Sequence, residues 1–345
     1  MTGSTPLATT TGKPAIGDLE TVVTTDVAIA SDALVRGELV AFPTETVYGL
    51  GADASRSEAV RRVFTAKGRP TGHPLIVHLG SVDAVWDWID LDAVHGLAQV
   101  VAQLAEAFWP GPLTMVVPRS SLAAVDTVGG MDTVGLRVPA HPVALALLEA
   151  CGLGVAAPSA NPFGSVSPTT AGHVLSDLDG RVEVILDGGP TAVGVESTII
   201  DLSRPRPVLL RPGGVSRERL EAVLGRPVPD PAPGEKYLAP GRLKSHYSPN
   251  AQVVVLADSK AFSKYRAQFD HDPTVTVGLI SPTPGDYEPS WFLPADPALF
   301  ATGLYDALRS ADAALLDRVV VVPPNDGPLL EAVLDRLAKA SANSE

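Results

Sequence analysis

The feature that most restricts the fold of this 345-residue chain is an alternation of strand-length apolar runs with helix-length amphipathic segments, broken once by a proline-rich stretch. "ELVAF" (38–42) has the apolar run of a strand, and "SEAVRRVFTAK" (57–67) has the period of a helix. "PLIVHL" followed by "GLAQVVAQLAEAF" repeats the alternation. Further strands are predicted at "LTMVV", "VGLRV", "VEVIL", "STIIDL" and "PVLLR", with helices at "PVALALLEA" and "SRERLEAVL". From Pro227 to Pro249 the apolar periodicity stops and prolines accumulate, which predicts an extended connector. A second block then runs through "QVVVL", "SKAFSKYRAQF", "TVTVGLI", "ALFATGLYDALRSADAALL", "RVVVV" and "PLLEAVLDRLAKA". It predicts a smaller α/β domain of Rossmann-like layering, with Leu330, Val333, Leu334 and Leu337 on one face of its last helix. There is no internal repeat.

Hydrophobic residues make up 45% of the chain and charged residues 19%, which describes a globular protein rather than a disordered one. Acidic residues number 39 against 26 basic ones, a net charge of -13. That balance argues against broad binding to nucleic acid or to acidic membranes, while leaving room for local basic pockets. Cys151 is the only cysteine, so neither an intramolecular disulfide framework nor a cysteine zinc cluster is expected, and it reads as a small buried hydrophobe. The first seventeen residues lack the apolar core of a signal peptide and no apolar run approaches membrane-spanning length, so a cytoplasmic location is expected.

Against this acidic background, "AKGRPTGHPLIVHL" (66–79) gathers Lys67, Arg69, His73 and His78, and such clustering anticipates something anionic. "YGLGADA" satisfies G-x-G-x-x-A in letters, but "PTETVY" separates it from the preceding strand and cations stand where an acidic residue should hold a ribose. A dinucleotide site is therefore set aside, and no phosphate-binding P-loop pattern occurs. "FPTETVYGLGADA" carries Thr44, Glu45, Thr46 and Tyr48, which serve either as turn formers and caps or as part of a site. Similar polar segments recur: Ser159, Asn161, Ser165 and Ser167 in "APSANPFGSVSP", Glu196, Ser197 and Thr198 in "GVESTIIDL", and Arg211 in "LLRPGG". In α/β folds, polar groups at the ends of several strands converge on one crevice.

In order, "FPTETVYGLGADA", "AKGRPTGHPLIVHL", "FWPGPLT", "VGLRVPAHP", "APSANPFGSVSPT", "GVESTIIDL" and "LLRPGG" resemble the threonylcarbamoyl-AMP synthase (YrdC-like) family. The connector "APGRLKSHYSPN" and the second block resemble its longer, two-domain members. The resemblance implies an N-terminal YrdC-like twisted mixed-sheet α/β domain over 18–217, a proline-rich linker or lid over the active site at 218–250, and a smaller Rossmann-like α/β domain over 251–345. It implies a nucleotidyltransferase that converts L-threonine, bicarbonate and ATP to threonylcarbamoyl-AMP and pyrophosphate. The product would pass to a separate transferase complex that modifies tRNA, with at most weak direct tRNA binding and no membrane partner.

In that chemistry a carbamate oxygen attacks the α-phosphate of ATP, so two anions must meet, and the site has to supply cations and oriented donors. The resemblance gives this role to Lys67 and Arg69; positioning and charge neutralisation then replace any covalent nucleophile. It carries ATP contacts onto Lys67, Arg69, Thr133, Ser159, Asn161, Ser167 and Arg211, and threonine contacts onto Thr46, His78, Arg137, Ala157 and Ser197. Arg137 suits the threonine carboxylate through its two-pronged guanidinium. His73 stands where the family carries an asparagine that touches ATP, and His246, Tyr247 and Asn250 are lid or nucleotide contacts. Mg2+ would accompany ATP on phosphate oxygens and water, with Glu45 and Glu196 as conceivable outer partners and no protein ligand. Two other readings stay open. A YrdC-like protein could bind RNA without chemistry. A carbamoyl-adenylate enzyme of hydrogenase maturation contains a similar domain but should also carry cysteine zinc motifs, which one cysteine cannot form.

Overall fold

The computed structural model describes residues 19–232, 247–269, 271–272, 274–284 and 287–342. The first part of the chain runs through β1 (Val22–Thr24), α1 (Val27–Arg36), β2 (Val40–Phe42), β3 (Gly49–Asp53), α2 (Ser57–Lys67), β4 (Ile76–His78) and α3 (Leu97–Phe108). It continues through β5 (Leu113–Pro118), α4 (Val125–Val128), β6 (Thr133–Arg137), α5 (Pro142–Cys151), β7 (Val155–Ala156) and α6 (Ala171–Leu178). β8 (Val184–Leu186), β9 (Thr198–Asp201), β10 (Val208–Arg211) and α7 (Arg217–Leu224) complete it. Its ten strands form one mixed sheet in the order β1-β8-β2-β3-β7-β4-β6-β5-β9-β10.

The second part comprises β11 (Gln252–Val255), α8 (Ser259–Arg266), β12 (Val277–Ser281), β13 (Ser290–Phe292), α9 (Pro297–Ala313), β14 (Arg318–Val321) and α10 (Leu330–Ser341). Its four strands pair in the order β11-β14-β12-β13, all parallel, which requires crossover connections and gives the layering expected from the sequence.

Most expected elements form within a few residues of the predicted positions, and α2 spans the predicted Ser57–Lys67. "YGLGADA" departs from expectation. Instead of a turn-rich segment it contributes β3, wholly buried and paired antiparallel with β2 and β7. Gly51 is required there by close packing: a Cβ would lie 2.7 Å from Val155 and 2.9 Å from Phe42.

The inward face of α10 is also rotated from the expected one. Val333, Arg336, Leu337 and Ala340 are buried, whereas Leu334 is 42% exposed. An arginine thus occupies a core position of an amphipathic helix.

The two sheets share a hydrophobic core. Val47, Val166 and Val195, from loops of the first sheet, pack with Phe300, Leu304 and Leu308 of α9 and with Val333 and Leu337 of α10. Gly194, at φ 77, lies so close to α9 that a Cβ would meet the Ala301 carbonyl oxygen at 2.4 Å. Arg309 of α9 grips Asp177 through two nitrogens at 3.1 and 2.6 Å. At the other end, Leu220 of α7 and Val228 belong to the core of the first sheet, so that core extends past the expected boundary at 217.

Candidate active site

Strand ends and the loops adjoining them converge on one cavity of about 50 Å³. Its wall includes Thr46, Arg69, His78, Arg137, Ala157, Ser159, Glu196, Ser197, Arg211 and Tyr247. Sheet register explains the convergence. β4 and β6 run parallel with His78 opposite Arg137, and an isolated bridge joins Gly49 to Ser159. The Ala157 amide donates to the Ile76 carbonyl at 2.9 Å, closing the "APSAN" segment onto β4.

On one side the Arg137 Nη2 donates to Thr46 Oγ1 at 2.9 Å and stands 2.8 Å from Glu45 Oε1, a close charge contact. The Thr44 hydroxyl donates to the Val47 carbonyl at 2.6 Å, so at its 2.8 Å contact with Thr46 it must accept. The polarity is therefore fixed from Arg137 through Thr46 and Thr44 to the backbone. Glu45 accepts from the Ala140 amide at 3.1 Å through its other oxygen. The Arg137 Nε is buried with no hydrogen-bond partner among the described residues.

His78 is buried, and burial, reinforced by Arg137, pushes its imidazole down to about 3. The ring is therefore neutral at physiological pH. Its Nδ1 meets the Ile76 carbonyl at 3.1 Å, a contact that only the Nδ1–H tautomer satisfies, leaving Nε2 as an acceptor.

On the opposite side, Arg211 donates from Nε to the Ser197 carbonyl at 3.0 Å and from Nη2 to Ser197 Oγ at 3.1 Å. Ser197 Oγ also meets Thr114 Oγ1 at 2.8 Å. Burial lowers the Arg211 guanidinium from its ordinary value. Glu196 is buried too. Burial pulls its carboxyl up, but Arg336 and Arg211 outweigh it and hold the group at about 2.

Arg69 completes the wall. It is 8% exposed and its Nη2 meets the Pro74 carbonyl at 3.5 Å, but its Nε has no hydrogen-bond partner and it has no carboxylate partner among the described residues. The guanidinium lies 5.6 Å from the Phe163 ring, and burial lowers its proton affinity to about 10.

Other expected site residues lie off this wall. Lys67, the last residue of α2, does not line the cavity; its ammonium donates to the carbonyl oxygens of Ser159, a wall residue, and Asn161. Burial and then Arg69 push its proton affinity well below the ordinary lysine value. Asn161 donates to the carbonyls of Pro162 and Ser165, at 2.9 and 2.8 Å, and Ser167 Oγ donates to Glu196 at 2.7 Å.

His73 is half-buried, with its ring 6.1 Å from that of Phe163. Thr133 opens β6 at the end remote from Arg137, about 13 Å along the strand. Asn250 is bound to Asp312 in the second sheet's half and does not reach the cavity. Tyr247 does reach it, fully buried and stacked on Tyr305 at 5.9 Å; His246 falls outside the described residues.

The sequence reading missed Arg336 and Tyr305, which approach the cavity from α10 and α9 through Glu196. The available signal was an arginine spaced three from Val333 and four from Ala340, on the apolar face of α10. Among the described residues there is no group of three or more metal-ligating side chains, and no helix long and apolar enough to cross a membrane.

Comparison with known proteins is consistent with this architecture. A family model for the Sua5, YciO and YrdC group, described as "Telomere recombination", matches residues 32–213. A second, described as "Threonylcarbamoyl-AMP synthase, C-terminal domain", matches 215–342. The threonylcarbamoyl-AMP synthase of Pyrococcus abyssi is 41% identical over 91% of this chain and 94% of its own length. That of Bacillus subtilis is 40% identical over 91% and 92%, respectively. The crystal structure of P. abyssi Sua5 complexed with L-threonine superposes with a TM-score of 0.85 at 40% identity, covering 93% of this chain and 97% of that one.

Proposed function

This chain belongs to the threonylcarbamoyl-AMP synthase family in its two-domain form, and on that premise we propose how its own residues perform the synthesis. It is an enzyme, a nucleotidyltransferase. The proposed reactants are L-threonine, bicarbonate and ATP, and the products are threonylcarbamoyl-AMP and pyrophosphate.

One observation carries this reading: the Arg69 guanidinium is buried against the cavity with no carboxylate partner among the described residues. A buried charge of that kind is costly unless an anion joins it. The triphosphate of ATP supplies that anion, with Arg211 on the facing wall. Lys67 acts beneath, holding the carbonyls of Ser159 and Asn161 so that the Ser159 segment faces the nucleotide. ATP is far larger than the cavity, so its adenosine extends outward, towards His73 in the loop before β4 and Thr133 at the start of β6. Asn250, tied to Asp312, receives a structural role instead.

The threonine carboxylate takes the unpartnered Nε edge of Arg137, which Glu45 and Thr46 hold in place. The substrate hydroxyl lies between Thr46 and Ser197, with Ala157 beside it; a site built around a hydroxyl discriminates against analogues without one. Neutral His78 offers Nε2 as an acceptor near the amine. The carbamate then faces the α-phosphate, and the guanidinium groups offset the repulsion between the two anions.

Both carboxylates on or beside this wall, Glu45 and Glu196, are already held by arginines. No step is therefore assigned to a protein-bound metal, and Mg2+ would travel on triphosphate oxygens and water. Tyr247 contributes to the cavity wall from the linker, which supports the linker as a lid. The proposed division is a first domain from 18, a linker to 250 and a second domain over 251–345, with α7 and Val228 packed against the first. Cytoplasmic location and transfer of the product to a tRNA-modifying complex complete the proposal.

The test is pyrophosphate release from ATP with threonine and bicarbonate omitted in turn. Release should depend on both; a rate unchanged without threonine would contradict the assignment.

A further inference from the structure

The seam between the two sheets contains a buried ionic cluster that no step above uses. Arg336 of α10 is 1% exposed, and its Nε donates to Glu196 Oε2 at 2.6 Å. Its Nη2 donates to the Pro212 carbonyl at 3.0 Å, and Nη1 meets Asp335. The Tyr305 hydroxyl of α9 reaches the same carboxylate, 3.0 and 3.2 Å from its two oxygens. Ser167 Oγ donates to Glu196 Oε1 at 2.7 Å. Three side chains therefore hold Glu196, and two of them come from the second domain.

The charge inventory gives this cluster a consequence. Glu196 is ionised and adjoins Ser197, to which Arg211 is fastened. Arg336 supplies the charge that balances Glu196. Without it, the carboxylate would be buried beside Arg211 as the nearest alternative counter-ion, and in a poorly solvated interior that attraction is strong. Arg211 would then be drawn from the nucleotide onto Glu196.

We propose that Arg336 is a positioning residue for the nucleotide half of this site: by engaging Glu196 it keeps Arg211 directed to the cavity. The inference rests on the reading of the cavity as the ATP and threonine site. It makes the second domain a support for the active-site wall, acting through Glu196.

The experiment is steady-state pyrophosphate release by the full-length protein with ATP and threonine varied separately. The variants are Arg336→Leu, Arg336→Lys, Glu196→Gln and the Arg336→Leu, Glu196→Gln pair. Arg336→Leu should raise the KM for ATP about tenfold while the KM for threonine changes less than about threefold. Arg336→Lys should recover part of the loss. Adding Glu196→Gln to Arg336→Leu should lower the KM for ATP again, because the unbalanced charge is gone.

A merely structural role would raise both KM values together and make the double variant worse than either single one; that result would overturn the proposal. If Arg336→Leu does not fold, Arg336→Lys and the double variant decide the matter by the same split. Wild-type release that ignored threonine would defeat the underlying reading instead, so the two failures are distinguishable.

Discussion

Arg137, on the cavity wall, stands 2.8 Å from Glu45 Oε1, while its buried Nε has no hydrogen-bond partner among the described residues. The carboxylate fixes the fork, and the fork remains available to a second carboxylate. Arg137→Lys keeps a cation beside Glu45 but loses the planar fork, so the KM for threonine should rise about tenfold with the KM for ATP nearly unchanged. Arg137→Ala would instead leave Glu45 buried and unbalanced, at a cost of about 3 kcal/mol in unfolding free energy. Equal effects of Arg137→Lys on both substrates would contradict the assignment.

His78 should stay neutral throughout the working pH range. Its folded-state value of about 3 lies below the ordinary 6.5, so the unfolded chain binds the extra proton between them. The stability contributed by His78 is complete above pH 6.5 and is lost as the pH falls towards 3. Chemical-shift titration of the ring should show no inflection between pH 5 and 8, values that bracket the ordinary histidine range. An inflection near 6.5 would mean that the ring is solvated and not part of the wall.

Glu196 predicts a second acid-dependent loss in a lower window. Its folded value of about 2 lies below the ordinary 4.5, so its contribution is present above pH 4.5 and fades as the pH falls through about 2. Linkage sets the size of that contribution at roughly 3 kcal/mol. Denaturant unfolding at a series of pH values should give a shallower acid slope for Glu196→Gln than for wild type. An unchanged slope would show that the carboxylate is not held by Arg336 and Arg211 as described.

Lys67→Met should both loosen the fold and weaken the nucleotide site. Losing the ammonium leaves the Ser159 and Asn161 carbonyls without their charged donor, at a cost of about 1–3 kcal/mol. The denaturant midpoint should fall, and the KM for ATP should rise with it. A variant with full stability and lost turnover would return Lys67 to direct contact with the triphosphate.

Helices and strands with strong periodicity were legible in the sequence; α2, β11, β12 and β14 show it, whereas the three-residue β13 was not anticipated. β3 was not, because its glycines lack the branched side chains that mark a strand, although they permit its tight packing. β7 has two residues, too few to display a period. The cavity wall was legible as a set of polar strand ends, since Arg137, Ser197 and Arg211 all reach it, joined by Arg69 from the loop between α2 and β4. Side-chain partners were not: the cationic character of Lys67 gives no indication that it binds the carbonyls of Ser159 and Asn161. The seam was hidden for a related reason. Arg336 and Tyr305 lie over 100 positions from Glu196, and only folding brings them together.

The central claim is that a cavity carrying buried guanidinium charge allows two anionic reactants to meet, and Arg69 tests it most directly. Arg69→Met keeps a long apolar side chain and removes the charge. The measurement is kcat/KM for ATP in threonine-dependent pyrophosphate release, alongside the unfolding midpoint. The account predicts a fall of about a hundredfold with stability equal to or above wild type, since a buried charge without a carboxylate partner among the described residues has been removed. An unchanged kcat/KM, or a loss accompanied by marked destabilisation, would contradict it.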